Sequence, residues 1–451
     1  MTSPTYQVVD PSTGEVVETF DTATDAEILA ALDSSATAYK SWKNVPITER
    51  AKVVAKVGRL FAERADELTK LAKLEMGKSE KDGHSEVEFC QSIFDYYAAE
   101  GPALAADQPI ASVSGGRAVV QKRPVGPLLG IMPWNYPYYQ VSRFAAPNLM
   151  LGNTIILKHA ESVPRSALAI EEIMKDAGVP EGVYINVFAS HQQIETIIAD
   201  RRVAGVSLTG SDRAGSKVAS IAGKHLKKCV LELGGSDPMI VLDSDDLGAV
   251  AGAAFDYRIY NAGQVCNSNK RMIVMDDLFD EFVGTLTQRA LALQPGDYSP
   301  MSSRTAAETL HQQVQDAVEK GARLHAGGVL SDGPAAYYTP AVLTGVTREM
   351  RAYFEEIFGP VAVVYRVGSD EEAVELANDT PYGLGGMVFS KDPARAEKVA
   401  EQLEVGMANV NWLGEGPQLP FGGTKRSGFG RELGPLGMDE FVNKRLFFIA
   451  G

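Results

Sequence analysis

The feature that most constrains this chain is an alternation of short apolar runs with stretches of helical periodicity, which begins at residue 127. The apolar runs have the length of strands and lie at residues 128–132, 154–157, 184–188, 203–208 and 229–231. Helical patterns separate them at residues 142–151, 166–177, 192–198 and 213–221. Repeated strand–helix–strand units with short connections predict a parallel sheet that helices cover on both faces. Such sheets bind ligands at the carboxyl ends of their strands.

A second alternation of the same kind starts after residue 235. Its predicted strands lie at 239–242, 272–275, 361–365 and 387–389, and its predicted helices at 247–257, 278–293, 305–320 and 394–403. The pattern therefore predicts an α/β protein with two α/β domains joined near residues 233–236. Earlier in the chain, helical patterns are predicted at residues 26–43, 48–77 and 86–104. An exposed strand or ribbon is predicted at residues 117–123.

The composition limits the classes of partner. The 451 residues include 43 lysines and arginines against 58 aspartates and glutamates, and this formal net charge of −15 argues against binding to nucleic acid or an anionic membrane. Three cysteines cannot form a disulfide framework and favour a reducing compartment. No secretory signal and no membrane-spanning apolar run is visible, so we expect a cytoplasmic protein.

Asn135 lies where the first strand of the predicted sheet gives way to a helix, within the segment Pro-Trp-Asn-Tyr-Pro at residues 133–137. Two prolines and two aromatic residues restrict the backbone there. An amide in this place can donate a hydrogen bond to a developing oxyanion. A helix N-cap explains the segment equally well, because asparagine is also favoured at that position.

Two further segments follow strands of the same sheet. Lys158 and Glu161 stand at the end of the second strand, where they suit the hydroxyls of an adenine ribose, although a solvated loop pair explains them better on local grounds. Ser211 lies in a loop with glycines at 210 and 215 that opens a helix, an arrangement that can bind phosphate. A simple glycine turn with a capping residue explains that loop as well.

Glu232 stands inside an apolar strand-like run and is followed directly by Gly234 and Gly235. Burial of a carboxylate there should raise its pKa towards neutrality, which suits a general base. A glutamate paired with a buried lysine or arginine is the alternative. The paired glycines favour the base, because they allow another group to approach the backbone closely.

Cys266 follows a polar, glycine-containing loop, which is an unusual place for a core residue. Loop cysteines held by backbone donors have a lowered pKa and act as nucleophiles. Cys90 and Cys229 lie instead in helical and strand patterns typical of core positions. The six histidines are scattered, so a metal site is not expected and no histidine base is apparent. A cysteine, a glutamate base and an amide donor then fit oxidation of an aldehyde through a thioester.

Together these segments resemble the aldehyde dehydrogenase superfamily, from about residue 6 to the C-terminus. Six motifs in the order of the family support the resemblance, and they lie at residues 133–137, 231–235, 263–266, 355–360, 420–423 and 427–432. The resemblance implies that Cys266 is the nucleophile, Glu232 the base and Asn135 the oxyanion donor. The residues that it implies for coenzyme binding are Trp134, Lys158, Glu161, Ser211, Glu356 and Phe358.

Within the superfamily, residues 158–160 and 233–238 are similar to those of bacterial succinate-semialdehyde dehydrogenases. Arg143 matches an arginine that some members use to bind the carboxylate of the substrate, and we expect it at the mouth of the site. A second such arginine is replaced by Tyr260, with Arg258 two residues earlier. Tyr136 completes the predicted substrate residues. An anionic small aldehyde, most simply succinate semialdehyde, is therefore expected, with a broader aldehyde range or a coenzyme A-acylating reaction as alternatives.

The resemblance also implies the architecture and the coenzyme. It predicts a Rossmann-like coenzyme domain (1–109 and 125–232), a catalytic domain (233–420) and a β oligomerisation arm (110–124 and 436–451) that pairs edge strands in a homodimer or homotetramer. NAD or NADP is the implied coenzyme, without a metal. A carboxylate at Glu161 favours NAD because it would repel a 2′-phosphate, whereas Lys158 could accept NADP if Glu161 moved aside.

Overall fold

A computed structural model describes residues 6–112 and 115–451 of the chain. Residues 1–5 of the predicted coenzyme domain and residues 113–114 of the predicted arm lie outside the described residues. Within the described ranges, none of the helices combines the length and the apolar character that crossing a membrane requires.

The N-terminal part begins with an antiparallel pair, β1 (Tyr6–Val9) and β2 (Val16–Phe20), which the sequence patterns did not reveal because β2 is mostly exposed. Four helices follow: α1 (Asp25–Trp42), α2 (Ile47–Glu63), α3 (Ala65–Met76) and α4 (Glu80–Leu104). The long helix expected over 48–77 is thus two helices, since the backbone leaves helical geometry at Arg64. Gly77 ends α3 with a φ of 77°, as helix C-termini often require.

The predicted ribbon forms a sheet with the end of the chain. Strand β3 (Gln108–Ile110) and strand β4 (Arg117–Pro124) are antiparallel, and β4 also pairs along its whole length with the last strand, β20 (Val442–Ile449). In this three-stranded sheet β20 is an edge strand, and its large side chains Leu446, Phe447, Phe448 and Ile449 are exposed.

The first predicted alternation forms a six-stranded sheet. Its parallel strands are β5 (Pro127–Met132), β6 (Thr154–His159), β7 (Tyr184–Asn186), β8 (Gly205–Thr209) and β9 (Lys228–Glu232). The helices between them are α5 (Tyr139–Leu151), α6 (Pro164–Ala177), α7 (His191–Ala199) and α8 (Asp212–Lys224). The strand order is β19-β9-β8-β5-β6-β7, and β19 (Gly428–Phe429) pairs antiparallel with β9 after a long return of the chain.

The second alternation forms a seven-stranded sheet with the order β12-β13-β14-β11-β10-β16-β17. These strands are β10 (Pro238–Val241), β11 (Arg271–Met275), β12 (Arg323–Ala326), β13 (Ala341–Thr344), β14 (Val361–Val367), β16 (Gly385–Phe389) and β17 (Met407–Val410). Its helices are α9 (Leu247–Ile259), α10 (Asp276–Ala292), α11 (Arg304–Glu319), α12 (Arg351–Phe354), α13 (Asp370–Asn378) and α14 (Pro393–Ala400). The remaining short elements are a 3₁₀ turn (Tyr260–Gly263), β15 (Tyr382–Gly383), β18 (Thr424–Lys425) and α15 (Gly434–Gly437).

Each sheet has its own apolar core, and the loops between the sheets meet in a cleft. The chain crosses from the first sheet to the second at residues 233–237, between β9 and β10. Cys266 lies just before β11 of the second sheet, yet it packs against the apolar cluster of the first. The predicted nucleophile therefore faces the carboxyl ends of the strands that carry the other predicted site residues.

Candidate active site

A strained turn presents Cys266 to the cleft. Asn261 and Ala262 have φ values of 51° and 52°, in the left-handed region that non-glycine residues rarely adopt. A Cβ atom at Gly263 would stand 2.2 Å from the carbonyl oxygen of Gly359, so only glycine fits there. The Gly-Gln-Val-Cys motif and the Phe-Gly-Pro motif thus lie against each other. Such strain is typical of functional sites.

The thiol of Cys266 differs from our expectation in its ionisation. Burial raises its pKa to about 11, while the nearby charges of Arg143 and Lys270 act in the opposite direction. The prediction of a lowered pKa was therefore wrong for the coenzyme-free protein, because desolvation of the thiolate outweighs the two cations. The resting form of Cys266 is a thiol, so a role as nucleophile would require a base.

Asn135 is buried and bound to the loop that precedes Cys266. Its side-chain amide donates to the carbonyl of Gln264 at 3.1 Å, and its own carbonyl accepts from the amide of Asn261 at 3.0 Å. It is not a helix N-cap, because α5 begins at Tyr139 after the cap residue Tyr138. The second hydrogen of the Asn135 amide forms no hydrogen bond within the described ranges, so it can serve an oxyanion.

Glu232 ends strand β9 with its carboxylate enclosed. Neither carboxylate oxygen forms a hydrogen bond with the described part of the chain, and the side chain is almost fully buried. Burial raises the pKa of Glu232 well above its ordinary value, although the charge of Arg143 opposes this effect. Gly422 closes over it, since a Cβ there would stand 2.6 Å from Oε1 of Glu232. An unpaired carboxyl with a raised pKa has the properties of a general base.

Arg143 does not lie at the mouth of the site, so that expectation was wrong. Its side chain is completely buried and forms an ion pair with Glu432, which belongs to the last of the six motifs. It also donates to the hydroxyl of Thr209 at 3.2 Å and lies over the rings of Phe421 and Tyr139, at 4.5 and 5.0 Å from their centroids. Burial alone would lower the pKa of Arg143, but the Glu432 carboxylate raises it, and the guanidinium remains charged. A buried guanidinium with these partners has no free face for a substrate.

Two tyrosines occupy the positions predicted for substrate contacts. The rings of Tyr136 and Tyr260 lie beside each other, with centroids 6.4 Å apart and planes tilted by 35°. The ammonium group of Lys78 lies 3.8 Å from the centroid of the Tyr136 ring and is paired with Glu86 at 2.6 Å. Arg258 cannot replace a second substrate arginine, because it is buried and bonded to backbone carbonyls, among them that of Val361 at 2.8 Å.

The first group of coenzyme candidates lies at the carboxyl end of β6 and at the start of α8. The Lys158 ammonium contacts the Glu161 carboxylate at 2.5 Å, and Nε2 of His191 lies 3.4 Å from the same carboxylate. Burial raises the pKa of Glu161, but Lys158 more than offsets this effect, so the net shift is downward and the carboxylate stays charged. Ser211 caps α8 by accepting a hydrogen bond from the Ala214 amide at 3.3 Å. A cation, a carboxylate and a helix N-terminus together match the ribose and phosphates of a dinucleotide.

The second group borders the nucleophile. The carboxylate of Glu356 accepts a hydrogen bond from the amide of Gly235 at 3.2 Å and remains partly open to the cleft. The rings of Phe358 and Trp134 pack edge to face, with centroids 5.8 Å apart. The chemistry of this group also fits a dinucleotide, because a carboxylate suits ribose hydroxyls and aromatic faces suit a planar ring.

Three charged residues of this region were given no role by sequence reasoning, although Glu432 lies in one of the six motifs. Lys270 is buried beside Cys266 and Glu356, Glu432 is the partner of Arg143, and Glu86 accepts the amides of Tyr138 and Tyr139 at the start of α5. The only local signal was a Lys-Arg pair directly ahead of a strand, at 270–271. The contacts themselves join residues far apart in the chain, so no local pattern contains them.

Comparisons with known proteins agree with this site. The model of the aldehyde dehydrogenase family matches residues 1–446. The succinate-semialdehyde dehydrogenase [NADP(+)] of Deinococcus radiodurans is 52% identical over 449 residues, which cover 98% of this chain and 94% of that protein. The Mycobacterium avium protein of the same name is 40% identical over 452 residues, or 98% of this chain and 96% of that one.

Solved structures agree as well. The succinic semialdehyde dehydrogenase of Streptococcus pyogenes, in complex with NADP+, superposes with a TM-score of 0.95 at 40% identity, over 99% of this chain and 100% of that one. With a family model that spans nearly the whole sequence and relatives of this identity, the chain belongs to the aldehyde dehydrogenase family and is an NAD(P)-dependent aldehyde dehydrogenase.

Proposed function

We propose that this enzyme oxidises succinate semialdehyde to succinate through a thioester on Cys266. The observations that support the chemistry are that Asn135 is bonded at 3.1 Å to the loop before Cys266, that Glu232 has an unpaired carboxyl, and that the charge of Arg143 acts on both Cys266 and Glu232. The choice of substrate rests on the relatives, since the protein of Deinococcus radiodurans carries that name at 52% identity.

The chemistry follows from the three side chains. Because the resting thiol holds its proton, Glu232 accepts that proton as the sulfur adds to the aldehyde carbon. The amide of Asn135 stabilises the oxyanion that forms. A dinucleotide held by the two groups of coenzyme residues would supply the hydride acceptor, and loss of the hydride from the same carbon would leave a thioester. Glu232 then releases this first proton to solvent and takes a second one from water, and the hydroxide adds to the thioester. The carboxylic acid is released as the Cys266 sulfur leaves and regains a proton from Glu232.

Tyr136 and Tyr260 are the groups that we assign to the carboxylate of the substrate, in place of Arg143. Phenols donate hydrogen bonds to anions, and the Lys78 ammonium at 3.8 Å from the Tyr136 ring is already neutralised by Glu86 at 2.6 Å. Neutral donors matter here because the chain as a whole has a net charge of −15.

NADP is the coenzyme that we propose, by analogy with the named relatives. Glu161 would repel a 2′-phosphate, but the Lys158 ammonium at 2.5 Å offsets its charge, and the His191 ring lies 3.4 Å from the same carboxylate. Glu161 then sets how well NAD competes. Glu161→Gln should raise the ratio of kcat/KM for NADP over NAD by about tenfold, which is the effect of roughly 1.4 kcal/mol. Glu195→Gln, a neighbouring exposed change on α7, is the matched control.

A coenzyme A-acylating reaction is the second candidate, and Glu232 argues against it. A carboxyl that activates water at the thioester would release the acyl group as acid before transfer. Formation of one acid per reduced coenzyme without coenzyme A supports the hydrolytic reaction. A requirement for coenzyme A would reject it.

The decisive experiment compares a panel of aldehydes with both coenzymes in the wild type and in Glu232→Gln and Cys266→Ala. Cys266→Ala should lose turnover altogether, because no thioester can form. Glu232→Gln should slow steady turnover through loss of the base. Succinate semialdehyde should have the highest kcat/KM, and Tyr136→Phe should lower that value more than the value for a neutral aldehyde. Equal loss on both aldehydes would reject the carboxylate assignment, and full activity of Cys266→Ala would reject the mechanism.

We also propose that a second copy of the chain pairs with the exposed edge of β20, in a homodimer or homotetramer. An edge strand with four large exposed apolar side chains tends to associate with other chains unless another segment covers it. Light scattering of the wild type and of Phe448→Glu tests this, since a charge on the edge should favour the monomer. A cytoplasmic location is proposed because the thiol of Cys266 must remain reduced.

A further inference from the structure

Lys270 lies four residues after Cys266 and is the most completely bonded cation of the cleft. Its side chain is 1% exposed, and each of the three ammonium hydrogens has an acceptor. These acceptors are the carbonyl of Val265 at 2.7 Å, the carbonyl of Cys266 at 2.6 Å and Oε1 of Glu356 at 3.0 Å. Because an unpaired buried ammonium is strongly disfavoured, Lys270 keeps all three acceptors close to one another.

The glycine pair after Glu232 is shaped around this cation and its partners. A Cβ at Gly234 would stand 2.2 Å from Oε2 of Glu356, and a Cβ at Gly235 would stand 2.5 Å from the carbonyl oxygen of Cys266. Any side chain at either position would push the carboxylate or the nucleophile loop aside. The close approach of Lys270, Glu356 and Cys266 is therefore built into the backbone of the crossover between the two sheets.

Glu356 is the movable member of this group. Its side chain is 18% exposed, so ribose hydroxyls can reach it while Lys270 cannot leave. Lys270 also lies 5.6 Å from the centroid of the Phe358 ring, at the same border of the coenzyme site. Burial is the largest effect and raises the pKa of the Cys266 thiol, the charges of Arg143 and then Lys270 lower it, and the charges of Glu356 and Asp237 raise it. Arg143 is paired with a buried carboxylate that no ligand reaches, so only Lys270 has a partner that responds to the coenzyme.

We propose that Lys270 is a positioning residue that transmits the binding of the coenzyme ribose at Glu356 to the nucleophile Cys266. The proposal rests on the proposed function and on Glu356 being a ribose-binding residue of the coenzyme site, as its chemistry suits. When ribose hydroxyls donate to Glu356, its carboxylate shares its charge with them and attracts Lys270 less. The ammonium then acts more strongly on the Cys266 loop, and the thiolate becomes easier to form. The nucleophile is thereby activated once the hydride acceptor is in place.

Alkylation of Cys266 by iodoacetamide tests this without turnover, in a Cys229→Ser background because Cys229 is half-buried while Cys90 is fully buried. The probes are ADP-ribose and 2′-phospho-ADP-ribose, which carry the distal ribose without a nicotinamide ring that could block the thiol. ADP, which lacks that ribose, is the comparison ligand. In the Cys229→Ser background, whichever of the two ADP-ribose probes binds should speed alkylation about threefold, as expected for a fall of about half a unit in the thiol pKa. ADP should leave the alkylation rate unchanged.

Lys270→Met should abolish this acceleration and lower kcat with little change in the KM of the aldehyde, and Lys270→Arg should restore part of both. Lys122→Met is the matched control, because Lys122 is also a largely buried lysine with a carboxylate partner, Asp439 at 2.7 Å, but lies in the arm sheet. If Lys270→Met does not fold, Glu356→Gln interrupts the same contact from the other side and should also lose the response.

If ADP-ribose accelerated alkylation equally in the wild type and in either variant, the proposed role of Lys270 would be wrong. The role would also be wrong if a wild type with normal turnover showed no acceleration. If the wild type oxidises no aldehyde with either coenzyme, the proposed function fails instead. The two results are separate, because the alkylation is measured without a substrate.

Discussion

Two buried cations act on Cys266 from opposite sides of the cleft, and they differ in their partners. Arg143, on the side of the first sheet, is paired with Glu432, and both side chains are removed from solvent. Lys270, on the side of the second sheet, is paired with Glu356, which stays partly exposed. Both cations lower the pKa of the thiol against the larger effect of burial.

The difference shows that burial of the partner decides what an ion pair can do. A pair whose two members are enclosed can only hold the scaffold, because no ligand can compete for either charge. A pair with one accessible member can exchange that contact for a ligand. Arg143, which sequence similarity pointed to as a substrate residue, is therefore part of the scaffold, and Lys270, which it overlooked, lies next to the coenzyme site.

The largest expected effect is on stability. Arg143→Met leaves the Glu432 carboxylate buried without its partner, and we expect the free energy of unfolding to fall by about 3–5 kcal/mol. Lys270→Met should cost less, because Glu356 can turn towards solvent. Urea unfolding of both variants measures the difference. If Arg143→Met lowered the free energy of unfolding less than Lys270→Met does, the two ion pairs would not differ as we infer.

The next effect concerns ligand-dependent stability. Glu356→Gln should weaken coenzyme binding about tenfold and so remove roughly 1.4 kcal/mol of the stabilisation that a fixed coenzyme concentration provides. Glu432→Gln should lower the melting temperature of the free protein but leave the increment from the coenzyme unchanged. Thermal unfolding with and without coenzyme provides both values. Equal loss of the increment in the two variants would contradict an enclosed role for Glu432.

The smallest effect is on the pH dependence of the thiol. The thiolate is the form that reacts, and burial raises the thiol pKa to about 11, so the alkylation rate of the coenzyme-free enzyme should rise about tenfold per pH unit between about pH 8 and 10. Arg143→Lys keeps a positive charge but loses the planar, forked hydrogen-bond donors of the guanidinium. The alkylation rates of this variant should be lower than those of the wild type by less than about tenfold. A rate that is already level near the lower end of that range would show a resting thiolate and reject a raised pKa for Cys266.

Much of the fold was predictable because it depends on local pattern. The five parallel strands of the first sheet, four strands of the second and the helices predicted between them lie within a few residues of their predicted positions, since runs of apolar residues and helical periodicity reflect burial on both sides of a sheet. Strands β12, β13 and β17 and helices α12 and α13 were not predicted. The β1–β2 pair was missed because its exposed strand has no such pattern. The break at Arg64 was missed because helical periodicity continues across it.

The site was predictable to a different degree for each residue. Motifs singled out Cys266, Glu232 and Asn135. The structure bonds Asn135 to the loop before Cys266 and lets the charge of Arg143 act on both Cys266 and Glu232, while the catalytic roles stay predictions. The ionisation of Cys266 was predicted with the wrong sign, because desolvation depends on how completely the two sheets enclose the thiol. The location of Arg143 was wrong for a related reason, since only the fold shows that Glu432 reaches it.

The sequence by itself determined the α/β class, the two alternating sheets and the identity of the residues predicted as nucleophile, base and amide donor, because these depend on neighbours along the chain. The tertiary structure alone decided which charges meet. Arg143 and Glu432, like Lys270 and Glu356, come from distant segments that approach only after both sheets have formed. Electrostatic energy depends on distance and on burial, and neither quantity exists until the chain is folded.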